Sequence, residues 1–137
     1  MKPHLSIEPA TQLALFLSNR PGALAKVCAE LAEAGINIHA LTISDTVDHS
    51  IVRMVVSDPT KALMILGEGG MIALEAEVLM IESDNAPGTL ARIAENLAKA
   101  SVNIEYAYLA TSIRADKGLM ILRPSDMAAA QCVLTEI

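Results

Sequence analysis

Asn19-Arg20-Pro21-Gly22-Ala23-Leu24-Ala25, running on to Ile36-Asn37-Ile38, returns 66 residues later as Asn85-Ala86-Pro87-Gly88-Thr89-Leu90-Ala91, running on to Val102-Asn103-Ile104. Leu31 and Leu97 keep the same spacing, so the stretch belongs to a duplicated unit. In each copy the Pro-Gly pair follows an apolar run of strand length and precedes a helical pattern. Leu24, Val27, Cys28 and Leu31, and then Leu90, Ile93, Ala94 and Leu97, fall at the i, i+3, i+4, i+7 spacing of an amphipathic helix. Pro21 suits the first helical turn, and Gly35 suits a left-handed stop at its end. Ser101 takes that stop position in the second copy, where it is less favourable. Each copy therefore reads as strand, tight turn, helix, strand.

Working outward, Leu5 to Ile7 alternates like a short strand that Pro9 ends, and Gln12 to Leu17 is a second strand. Ile36 to Ser44 and Ser50 to Ser57 read as a hairpin joined by Asp45-Thr46-Val47-Asp48-His49. Asp58 then caps a helix with Pro59 at its first position and Ala62, Leu63 and Leu66 inward. Met71 to Ile81 is long for one strand, and reads as the last strand of one repeat merging into the first of the next. The second copy continues with strands near Asn103 to Thr111 and Lys117 to Leu122, and a helix from Asp126 to Leu134 capped by Ser125. The order is βαββαβ, an α+β class, with repeats at residues 10–76 and 77–137. The second repeat lacks its last strand. An N-terminal strand at about residues 4–8 is expected to fill that edge, or the same edge of a partner subunit, because a bare apolar edge invites aggregation.

Composition narrows the function. Hydrophobic residues make up 53% and charged residues 19%, which implies extensive burial and an oligomer. A net charge of −6 and only 2% aromatic residues oppose nucleic-acid binding, which needs clustered cations and stacking rings. Glu75, Glu77 and Glu82 interrupt the apolar runs well before a membrane span is reached, and Met1-Lys2-Pro3-His4 opens no signal-peptide pattern, so the expected location is cytoplasmic.

Cys28 and Cys132 stand apart on helices and read as small buried hydrophobes. His4, His39 and His49 are scattered without metal-ligand spacing. Asp45, Asp48 and Glu105 read as solvated carboxylates, and Gly67-Glu68-Gly69-Gly70 ends a helix where a phosphate cradle would have to open one. No catalytic residue, metal or cofactor is expected.

Chemistry remains at the asparagines. Asn19 and Asn85 precede a helix and Asn37 and Asn103 follow it, so both members of a copy are expected at one end of the unit. Polar corners amid apolar neighbours there suggest a small-ligand cleft at a helix N-terminus; for either residue alone turn-making or capping is the favoured account, and the two matching pairs together balance the readings.

The Pro-Gly-x-Leu-Ala turn entering a helix, with an apolar-Asn-Ile strand start in a βαββαβ unit, resembles the ACT domain, twice over nearly the whole chain. The resemblance implies ferredoxin-like repeats, each an antiparallel sheet with both helices on one face. ACT units pair side by side, and small effectors, often amino acids, bind where the turn meets a neighbouring unit. The implied ligand-binding residues are Asn19, Arg20, Pro21, Gly22, Ala23, Leu24, Asn37 and Ile38 in the first repeat. In the second they are Asn85, Ala86, Pro87, Gly88, Thr89, Leu90, Asn103 and Ile104. Arg20 becomes Ala86, so the two clefts are unequal, and Leu17 and Ser83 stand where serine-sensing members carry His.

The implied protein is a non-catalytic regulator, favoured as a homodimer, that binds an amino acid between repeats and signals to a separate enzyme of amino-acid metabolism. The alternative is a ligand-free dimerisation or scaffold module of the same fold.

Overall fold

The computed structural model describes residues 5–45 and 48–137. The expectations for His4 and for the turn residues Thr46 and Val47 lie outside the described residues. The order is β1 (Leu5–Ser18), α1 (Ala23–Glu33), β2 (Ile38–Asp45), β3 (His49–Val56), α2 (Pro59–Glu68), β4 (Ala73–Asp84), α3 (Thr89–Lys99), β5 (Ile104–Ala110), β6 (Lys117–Pro124) and α4 (Met127–Thr135).

Two compact units emerge, one over Thr11–Ala76 and one joining the chain up to Ala10 to Glu77–Ile137. In the first unit the strand order is β2-β3-β1-β4, and in the second β1-β4-β6-β5. Strands β1 and β4 are 14 and 12 residues long, enough for each to serve both units. Pro9 therefore does not end the first strand. The antiparallel ladder with β3 covers only Gln12 to Ser18, so Pro9 lies where β1 has no β3 neighbour. There a residue without N–H is tolerated when it faces the open edge.

In the first unit Leu13, Leu15 and Leu17 of β1 join Val52, Met54 and Val56 of β3 beneath Val27, Leu31, Ala62 and Leu66 of the helices. The second unit repeats this with Leu79 and Ile81, Met120 and Leu122, and Ile93, Leu97, Ala130 and Leu134; Leu5 and Ile7 of β1 pack against that core. The alternation along the strands and the four-residue spacing on the helices are the strand and helix periods expressed as burial.

Gly35 and Ser101 both take positive φ, 74° and 59°. The helix ends close identically, by Ile36 N–H to Leu31 O and by Val102 N–H to Leu97 O, each at 2.9 Å. A side chain in this conformation costs about 1 kcal/mol, so Ser101→Gly is expected to stabilise the protein by up to about 1 kcal/mol in denaturant titration.

Three local expectations change. Pro21 and Pro87 stay in the turn, because Gly22 and Gly88, with φ of 88° and 90°, are the residues that open α1 and α3. Helix α4 is capped by Asp126, whose Oδ1 accepts from Ala129 N at 3.0 Å. Ser125 is engaged elsewhere, accepting from Asn103 N at 2.9 Å. Asp126→Ala is accordingly expected to cost about 1 kcal/mol by thermal denaturation, as loss of a side-chain cap does. Finally, Cys28 is half-buried and Cys132 exposed, so neither is a fully buried hydrophobe.

Candidate functional site

Each Pro-Gly turn begins where a strand stops and ends on a helix whose first amides lack intrahelical acceptors. Left-handed Gly22 and Gly88 reverse the chain there and hold the N-cap positions, so Asn19 and Asn85 stand ahead of the caps. Their backbones instead tie the turn to the neighbouring hairpin: Asn19 N–H donates to Asp48 O at 3.0 Å, and Asn85 N–H to Asp116 O at 2.8 Å. The Asn85 side chain goes further. Its Nδ2 donates to Ser112 O at 3.1 Å and to Ala115 O at 2.9 Å, which stitches the β5–β6 loop to the turn and leaves Oδ1 as the acceptor.

Beside this turn in the second unit lies an open cleft of about 120 Å³. Ser83 and Asp84 line it from the end of β4, Asn85 and Ala86 from the turn, and Thr89 and Leu90 from the start of α3. Leu109, Thr111 and Met120 close it from the β5–β6 hairpin. Thr89 N–H makes a long 3.4 Å contact to Ala86 O, while Thr89 Oγ1 donates to Asp84 O at 3.2 Å. Asp84 is held by Lys117, whose Nζ lies 2.6 Å from Oδ1, both side chains being partly exposed. The cleft thus sets positive helix amides against a carboxylate and an amide oxygen, a pattern able to receive a zwitterion end to end.

The sequence-predicted residues separate into two places. Within its own unit, Asn37 does not share an end with Asn19, nor Asn103 with Asn85. Each follows the far end of an 11-residue helix, roughly 16 Å along its axis. There the Asn37 backbone exchanges bonds with Ser57, N–H to Oγ at 2.9 Å and O from N–H at 2.9 Å, and Asn103 does the same with Ser125. Ile38 and Ile104 begin β2 and β5 at that far end. Leu90, expected on the helix's core face, is 47% exposed on the cleft rim.

Ser83, Asp84, Leu109, Thr111 and Met120 line the cleft without having been predicted. Ser83 was discoverable from its mismatch with Leu17 in the repeat. Thr111 and Met120 were not, because the Ser57/Ser125 pair is separated by 68 residues, so the second hairpin carries two extra residues. Among the described residues no group of three or more His, Cys, Asp or Glu could hold a metal ion, and no helix is long and apolar enough to cross a membrane.

The family model described as an ACT domain pair matches residues 9–136. The chain belongs to the ACT domain pair family. The solved structure of protein BT0572 from Bacteroides thetaiotaomicron is similar, with 35% identity over 95% of this chain and 89% of that one, and a TM-score of 0.89. The regulatory subunit of aspartate kinase from Thermus thermophilus, in ligand-free form, shares the fold at 21% identity, with 98% of this chain and 96% of that one covered and a TM-score of 0.71. Its counterpart from Thermus flavus does so at 23% identity, 96% and 95% coverage and a TM-score of 0.64. No match was found among curated protein sequences.

Proposed function

We propose that this ACT pair is a non-catalytic regulatory protein that binds an α-amino acid at its helix-start cleft and passes occupancy to a separate enzyme of amino-acid metabolism. The observation that carries the reading is the cleft formed by Asp84, Asn85 and the first amides of α3. An amino acid's carboxylate would take the Leu90 and Ala91 amides, and its ammonium the oxygens of Asp84 and Asn85. The likeness to chains titled as regulatory subunits of aspartate kinase supports a regulatory role for a protein of this size.

Asn85 acts twice in this scheme. It offers Oδ1 to the ligand and holds the β5–β6 loop through Nδ2, so ligand binding would tighten the hairpin that carries exposed Ile113. Asn103 would join the same ligand only from a second copy of the chain, since within the unit it lies at the other end of the helix. A cytoplasmic homodimer is the assembly we favour.

Calorimetric titration with each of the twenty common amino acids at millimolar concentration tests the reading. Saturable binding of at least one is expected, and Asn85→Ala is expected to weaken it at least about tenfold, the worth of one charge-assisted hydrogen bond. Absence of heat and of thermal shift with all twenty would favour a scaffold that has lost its ligand.

A further inference from the structure

The two repeats differ where the cleft lies. At the position of Ser83 the first repeat has Leu17, which is 7% exposed and part of the first core. Leu17 pairs across the ladder with Ser50, whereas Ser83 pairs with Gly118. Gly118 matters for the opening: a Cβ built there would stand 2.3 Å from Thr111 Cγ2 and push that side chain away. The first repeat therefore sets a leucine of its core over a serine at this level of the ladder. The second sets a hydroxyl over a glycine there. Thr89 likewise replaces Ala23 at the helix start.

Resting on the reading of the cleft as an amino-acid site, we propose that the chain holds one effector, in its second repeat. That effector is a short α-amino acid whose side chain makes hydrogen bonds, and Ser83 decides both properties. The cleft's space of about 120 Å³ is several times the roughly 10–15 Å³ that admits a single water. This is in keeping with an amino acid that carries a hydroxyl, carboxyl or carboxamide on one or two side-chain carbons. Ser83 is only 4% exposed, so its hydroxyl meets a ligand in a place where water competes little. An aliphatic side chain against it would leave that hydroxyl unpaired, which is the stronger form of discrimination.

Titration of the whole protein with serine, threonine, asparagine, aspartate, leucine and phenylalanine, for wild type, Ser83→Leu and Ser83→Ala, decides the matter. Wild type is expected to bind one of the four polar probes, at one per chain, and neither of the apolar two. Ser83→Leu, which restores the first repeat's side chain, is expected to keep its circular dichroism and lose affinity at least about tenfold. Ser83→Ala keeps the space and is expected to narrow the preference for polar over apolar probes, so the proposal is still tested if the leucine variant fails to fold. Two ligands per chain, preferred binding of leucine or phenylalanine, or unaltered affinity and preference in both variants would overturn the proposal while leaving amino-acid binding in place. No binding of any of the twenty common amino acids would overturn the underlying reading with it.

Discussion

Leu97→Ala is expected to destabilise the protein by about 2 to 5 kcal/mol, the cost of removing a fully buried leucine and leaving a cavity. Leu97 has no exposed surface and sits in the second core among Leu79, Ile81, Ile93 and Met120. Two strands and a helix meet there, so little can move to refill the space. Leu31→Ala is expected to do the same in the first core, where Leu31 is equally buried. Urea titration followed by circular dichroism measures both. A control at exposed Ala98, replaced by Ser, should stay within about 0.5 kcal/mol. A loss below about 1 kcal/mol at Leu97 would mean that this helix does not carry the core.

Deleting residues 2–8 is expected to cost about 2 to 4 kcal/mol, from burial of Leu5 and Ile7 against the second core, an upper estimate because unfolded chains bury some of this surface already. The loss should also expose the flank of β4, which runs from Leu79 to Asp84 beside β6 and has β1 as its other neighbour. A bare strand edge pairs with other molecules, so the truncated protein should melt lower and aggregate sooner. An unchanged melting temperature with a monodisperse protein would show that the N-terminal strand is dispensable.

Much of the fold was legible because the duplicated Pro-Gly turn and the Leu31/Leu97 spacing state the helix positions twice. The Asp58 cap was equally readable, its Oδ1 accepting from Lys61 N at 3.1 Å. The errors share a cause: local punctuation gave way to tertiary context. Pro9 looked like a strand end, yet a strand with one open flank can hold it. Ser125 looked like a helix cap, yet it was already bonded to Asn103, and Asp126 took the cap. The asparagine pairs were misplaced because sequence shows them flanking a helix without showing that the helix separates them by its own length. The cleft was legible at Asn85, Thr89 and Leu90. It was hidden at Thr111 and Met120, since hairpin register depends on two extra loop residues that a constant repeat spacing conceals.

The central claim is that an amino acid sits on the first amides of α3 beside Asp84 and Asn85. Amide chemical shifts of the isotope-labelled protein, recorded while the calorimetrically active amino acid is added, test it most directly. The account predicts saturable shifts concentrated from Ser83 to Ala91 and in the loop at 111–116, with the turn at Asn19 to Leu24 little changed. Shifts confined to Asn37 and Asn103, or centred on the first repeat's turn, would contradict it.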